Sequence, residues 1–232
     1  MQLNRYISPR IKNKLRPLRC IFNYARNFKN IGKAKRHRDP YATHLPVLIG
    51  IRQLFKIRRV LELGCGKYST PTFLDKAIFP DLEALHTVET DSKWSNEIEK
   101  FVGSDSRLCL ILAEKPMKDA VDNINFDHYD LIFVDDSTYV EERVETIRVL
   151  SSRCSSLNVV VIHDYENKEY QIAASKFSHQ FKFDMLNPYT GIVWNDAQIK
   201  QDSLKEIYKR IRKYSKSISP NDARQWAHIL SA

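Results

Sequence analysis

Five short apolar runs punctuate the middle of the chain: Val60–Leu63, Leu85–Val88, Leu108–Leu112, Leu131–Val134 and Val159–Ile162. Each is continuous rather than alternating, the pattern expected of parallel strands covered on both faces. Mixed segments with helical character separate them, roughly 70–78, 93–102, 140–151 and 170–177. Strand and helix in regular alternation predict a doubly wound α/β sheet. Beyond the last helix, 181–186 and 191–194 flank Asn187-Pro188-Tyr189-Thr190 and predict a closing antiparallel hairpin, for seven strands in all.

The ends of these runs are where polar residues gather. Glu62 lies in the first run, and Glu89, Glu114, Asp135 and Asp164 follow the next four. Ligands of open α/β sheets collect at the carboxyl ends of strands, so these acids are expected on one edge. The first run leads into Gly64-Cys65-Gly66, then Ser69 and Thr70 offer caps to a following helix. Glycines admit close backbone approach, and a helix start presents free N–H groups to an anion. A plain strand–helix connector is the competing account of the same turn.

Glu62-Leu63-Gly64-Cys65-Gly66 resembles the glycine loop of class I S-adenosylmethionine-dependent methyltransferases, acidic-x-Gly-x-Gly. The order of elements and the terminal hairpin are similar to that family over roughly residues 41–196, giving a Rossmann-like methyltransferase sheet. The resemblance implies S-adenosylmethionine as cofactor, held by Glu62, Gly64, Cys65, Gly66, Ser69, Thr70, Glu89, Trp94, Glu114 and Asp135. Glu89 would accept the ribose hydroxyls. Trp94 would stack on adenine or serve the core. Where the family often has a third glycine, this chain has Lys67-Tyr68-Ser69, a variation tolerated where Ser or Thr meets the methionine carboxylate.

Charge divides the 232 residues into three parts. The net charge is +9, yet residues 1–38 carry twelve Lys or Arg and no acid. Residues 201–232 carry seven basic residues against three acids, which leaves 39–200 at −7. An acidic centre argues against a nucleic-acid channel over the site. The divisions expected are a basic arm at 1–40, a methyltransferase domain at 41–200 and a basic amphipathic helical extension at 201–232. In the arm, Ile11, Leu15, Leu18, Phe22 and Ala25 recur at helical spacing among basic residues. That suits an anionic membrane surface or an acidic partner, with a solvated extension as the bland alternative. In the extension, Leu204, Ile207, Tyr208 and Ile211 make an apolar face expected to pack on the chain's own domain. No apolar run reaches about eighteen residues, and no secretory block opens the chain. The four cysteines lack a C-x-x-C pair, so free thiols in a cytoplasmic setting, free or peripheral to a membrane, are expected, without structural zinc.

Asp135-Asp136 and His163-Asp164 end what should be adjacent strands. This is similar to the catechol O-methyltransferase-like branch, in which acids at these ends hold a divalent cation. Asp136 and Asp164 would be the ligands here. The branch's Asp-Asn pair is replaced by Asp164-Tyr165, and its lysine position by Thr138-Tyr139, so a metal-free site is favoured. His163, Asp164 and Asp136 are the catalytic candidates, with His163 either a general base or a strand-end structural residue. His44 is expected to be structural or part of a lid, and His86 core. Asn187-Pro188-Tyr189 sits too late to match the loop of amino-group methyltransferases, which favours transfer to oxygen. The expected acceptor is a small molecule or a glycan hydroxyl. The alternatives are a non-catalytic cofactor-binding or membrane-docked assembly protein and, against the missing G-x-G-x-x-G, a nicotinamide-dependent oxidoreductase.

Overall fold

The computed structural model describes residues 39–195 and 199–231. The basic arm expected at 1–38 lies outside the described residues. Seven strands form one sheet: β1 (Arg59–Leu63), β2 (Ala84–Glu89), β3 (Leu108–Leu112), β4 (Leu131–Val134), β5 (Val159–His163), β6 (His179–Phe183) and β7 (Thr190–Trp194). Their spatial order is β3-β2-β1-β4-β5-β7-β6. The first five are mutually parallel, and β7 enters antiparallel between β5 and β6.

Alternate residues of the strands feed two separate cores, as the pleat requires. Val60, Leu85, Phe133, Val161 and Ile192 face one layer. That layer is closed by α1 (Leu45–Ile51), α7 (Gln201–Tyr214) and α8 (Ala223–Ser231). Every residue of α1 is buried, so it is an inner helix with α7 and α8 packed against it. Leu204, Ile207 and Ile211 are the buried face of α7, so the amphipathic segment does pack on the domain. Leu61, Leu63, Ile132, Val160 and Ile162 face the other layer. There they meet α5 (Val140–Arg153) and α6 (Lys168–Ala173).

Of the four helices expected between strands, the first and last are shorter than the sequence suggests and the middle two run slightly longer. α2 covers only Ser69–Leu74, because Asp75 turns extended and its carboxylate accepts from the Ala77 amide. α3 (Ser92–Val102) starts where Asp91 Oδ1 accepts from the amides of Lys93 and Trp94, an N-cap that satisfies otherwise orphaned donors. A single helical turn, α4 (Met117–Ala120), follows β3. α6 begins at Lys168, capped by Asn167, and a 3-10 turn at Ala174–Lys176 replaces its expected end.

Tyr165 has a structural task at the hairpin. Its ring lies on Gly191, where an added Cβ would meet ring carbon at 2.3 Å, and its hydroxyl donates to Gln180 Oε1 at 2.7 Å. The residue that departs from the Asp-Asn pattern therefore locks β5 to the hairpin. Among the described residues, no helix is long and apolar enough to cross a membrane.

Candidate functional site

The glycine loop is gripped between neighbouring strand ends. Gly64 donates to Val88 O at 2.9 Å, and the Asp135 amide donates to Leu63 O at 2.9 Å. Gly64 has φ +86°, and a Cβ there would stand 2.3 Å from the Asp135 carbonyl oxygen. Left-handed backbone and close approach together exclude a side chain. The approach is to the chain's own β4 end. Gly66 differs, because a Cβ would meet only Ser69 Oγ at 2.6 Å, a side-chain atom that can turn away. Gly66→Ala is expected to keep its stability within about 1 kcal/mol of the parent, read from urea unfolding; a loss of several kcal/mol would show the loop to be rigid there.

Beneath the loop Glu62 is fully buried. Its Oε2 accepts from the hydroxyls of Thr70 and Thr87, both at 2.8 Å. Thr70 Oγ1 in turn accepts from the Gly66 amide at 3.0 Å. Oε1 has no hydrogen-bond partner. Burial pushes the Glu62 pKa up to about 7 against the relief offered by Ser69, Thr70 and Thr87, with Asp135 adding to the rise. Glu89 braces the loop from β2. Its Oε2 accepts from the Cys65 amide and thiol at 3.1 and 3.3 Å, and Oε1 from the amides of Thr90 and Asp91 at 2.7 and 2.9 Å. Burial first, then Glu89, pushes the Cys65 thiol pKa far up, so it stays protonated. Trp94 Nε1 donates to Cys65 O at 2.6 Å, and Lys67 Nζ sits 5.0 Å from the Trp94 ring centre. In this arrangement Glu89 and Trp94 hold the loop itself.

At the ends of β4 and β5 one cation organises three carboxylates. Arg143, from α5, has a side chain only 3% exposed. Its guanidinium reaches Asp135 Oδ1 at 2.9 Å, Asp164 Oδ2 at 2.8 Å and Asp136 Oδ1 at 3.4 Å, and it also donates to Ser137 O. Burial disfavours the arginine charge, yet the three carboxylates raise its pKa overall. Asp135 Oδ2 lies 3.2 Å from His163 Nδ1. Burial opposes that pair too, but His163 and Arg143 hold the Asp135 pKa well below the usual carboxylate range. His163 is moved upward: burial alone would lower it, and Asp135 and Asp164 outweigh that.

Thr43 fixes the His163 ring. The Thr43 hydroxyl faces two carbonyls, Pro188 O at 2.8 Å and Pro40 O at 3.2 Å, and His163 Nε2 at 3.0 Å. Its single proton goes to a carbonyl, so His163 Nε2 must be the donor in that contact. Both nitrogens of His163 are thus engaged, and the ring is 3% exposed; it presents no free nitrogen to an incoming hydroxyl. Asp136 is also withdrawn. Its side chain is 0% exposed, its Oδ2 accepts from Thr146 at 2.6 Å on α5, and burial raises its pKa. Of the two acids weighed as cation ligands in the less favoured metal-dependent reading, Asp136 is turned toward Thr146 on α5 while Asp164 stays partly open. Asp164 is the open member, with a side chain 38% exposed and backbone φ +56°. A non-glycine residue in that region marks a position worth functional scrutiny.

The fold brings Glu62, Gly64, Cys65, Gly66, Ser69, Thr70, Glu89 and Trp94 into one group, and Asp135, His163 and Asp164 into a second beside it. Glu114 is exposed beyond β3, next to Ala113, whose amide donates to Glu89 O at 2.7 Å. His86 is half-buried, its Nδ1 2.7 Å from the Tyr129 hydroxyl. Sequence reasoning missed Arg143, Thr43 and Thr87. Arg143 shares a helix face with Ile147 and Leu150, at spacings of four and seven residues, and a lone cation on an apolar stripe was the available signal.

This sheet order, with its antiparallel β7 and its polar residues at the carboxyl edge, is the fold of class I S-adenosylmethionine-dependent methyltransferases. Among solved structures the chain is similar to spermidine synthase from Thermotoga maritima, with a TM-score of 0.55, 13% identity, and 83% of this chain and 76% of that one covered. It is also similar to human methyltransferase-like protein 13 in complex with SAH, with a TM-score of 0.52, 15% identity, and coverage of 78% and 92%. No family model and no curated protein matches the sequence.

Proposed function

We propose that the chain is an S-adenosylmethionine-dependent methyltransferase acting on a hydroxyl of a small molecule or glycan. The observation that carries this reading is the Glu62 carboxylate, wholly buried under the glycine loop with Oε1 lacking a donor. A buried acceptor left open costs about 1–3 kcal/mol, and a ligand ammonium would fill it. Gly64, Cys65, Gly66, Ser69 and Thr70 would hold the cofactor beside Glu62, with Glu89 and Trp94 keeping the loop in shape and Asp135 at the neighbouring strand end. When bound, the cofactor supplies a methyl on a sulfonium, already electrophilic, so alignment of the acceptor is the protein's main task. Asp164 is the carboxylate placed to take the hydroxyl proton: Arg143 anchors Oδ2, and the side chain stays open. His163 steadies Asp135 in this scheme, the structural one of the two roles the sequence left open for it.

A second reading, cofactor binding without turnover, draws on the engagement of both His163 nitrogens. Mass spectrometry of ligands retained by the purified chain, followed by calorimetry with S-adenosylmethionine, its demethylated product and nicotinamide dinucleotides, tests the proposal. Binding of the first two is expected; tight binding of a nicotinamide cofactor alone would overturn it. Retained cofactor with no methyl transfer to any hydroxyl acceptor would move the balance to the second reading.

A further inference from the structure

His44 stands at the start of α1, 2% exposed, and neither ring nitrogen has a hydrogen-bond partner. The ring packs against Phe133 at 4.7 Å and edge-on to His163 at 4.8 Å between centres. An imidazole buried without partners is costly unless something binds it. We propose that His44, His163 and Asp135 form a binding site for a divalent first-row transition metal.

One ligand atom from each of the three residues lies within 4.8 Å of the others. Two ligands of a tetrahedral metal, with bonds of about 2.1 Å, are about 3.4 Å apart. Closure therefore asks the widest pair to draw together by about 1.4 Å. Coordination would replace the hydrogen bond between His163 Nδ1 and Asp135 Oδ2 and leave the other contacts of both residues in place. His163 gives its Nε2–H to Thr43, whose own proton goes to a backbone carbonyl, so Nδ1 faces Asp135 at 3.2 Å. Metal-ligating histidines are oriented in this way, by a hydrogen bond from the distal nitrogen. Arg143 holds Asp135 Oδ1 and leaves Oδ2 toward the histidines. Asp135 is 27% exposed and gives an entry path.

Two imidazoles and one carboxylate select Zn²⁺, Co²⁺ or Fe²⁺ over Mg²⁺ and Ca²⁺, which prefer all-oxygen sets. Three protein ligands leave a position open, as in catalytic zinc sites. The site differs from the Asp136–Asp164 pair considered from sequence, since Asp136 faces away. A cation here would lower the pKa of a hydroxyl that binds it; that consequence rests on the proposed transfer to oxygen, whereas metal binding itself does not.

The full chain, stripped with chelator, is titrated with Zn²⁺ by calorimetry and with Co²⁺ by visible absorption. A single strong site is expected, with Co²⁺ bands displaced by Zn²⁺. His44→Gln and Asp135→Asn should each weaken Zn²⁺ by at least about 100-fold, above the 10–100-fold typical of lost outer partners. The exposed His128→Gln control should bind as the parent does. Circular dichroism checks that each variant folds; if His44→Gln does not, Asp135→Asn carries the reading. Failure of the parent to take up either ion, or parental affinity in a folded ligand variant, overturns the proposal. Cofactor calorimetry in the presence of chelator reports on the methyltransferase reading separately.

Discussion

Replacing Arg143 with methionine is expected to cost about 3–5 kcal/mol of stability at neutral pH, the range for removing one partner of a buried ion pair. The side chain is 3% exposed and is the cation nearest three carboxylates. Methionine keeps much of the volume, so the loss reads charge more than cavity. Asp164, 38% exposed, can rehydrate and contributes least. Asp136, 0% exposed, would be left facing a vacated charge and should take up a proton. The pH dependence has a definite sign. The depressed pKa of Asp135 gives stability that is present above its unfolded value near 3.8 and fades as pH falls through the folded one. Parent and variant should therefore converge in acid. Urea unfolding at pH 7 and at successively lower pH, well below 3.8, measures both effects, and a neutral-pH loss below about 1 kcal/mol would show that water replaces the guanidinium.

The contrast between Arg143 and Glu62 marks what the sequence can reveal. The strands were legible because a strand covered on both faces must be apolar throughout, and Val159–Ile162 could hardly be anything else. Glu62 stood out because an acid inside such a run has no solvent to face. Arg143 sits in Val140-Glu141-Glu142-Arg143, which reads as a charged, solvated helix start. Its burial depends on strand ends far away in the chain. The same applies to Thr43, which meets His163 and Pro188 only after the hairpin folds back. Asp136 shows the opposite error. Adjacent acids at a strand end look equivalent in sequence, but the pleat sends them to opposite faces, and only Asp135 joins the histidines. The shorter α2 follows from Asp75, whose side chain bonds the next turn and Arg224 instead of continuing the helix.

Glu62 should make the protein less stable as pH rises from about 5 to 8. Its folded pKa is raised from 4.5 to about 7, chiefly by burial. Between those values the folded state keeps a proton that the unfolded chain gives up, so stability is full below the unfolded pKa and is lost through the folded one. The shift corresponds to about 3 kcal/mol at 1.36 kcal/mol per unit. His163, also raised, adds a fall of the same sign, so the informative quantity is the difference between the parent and Glu62→Gln. Glutamine keeps an acceptor for Thr70 and Thr87 and removes the buried charge, though its amide inherits the unpartnered position of Oε1. The variant should be more stable at pH 8 by about 1–3 kcal/mol and equal or weaker at pH 5. A residue that destabilises the fold at neutral pH persists at functional sites where a ligand offsets the cost. Binding of S-adenosylmethionine should then strengthen with pH across the Glu62 ionisation, and Glu62→Gln should both flatten that dependence and weaken binding at least tenfold, about 1.4 kcal/mol. Parallel stability curves for parent and variant from pH 5 to 8 would show that Glu62 does not ionise there. Unchanged cofactor affinity in a stabilised variant would leave its burial a matter of folding alone.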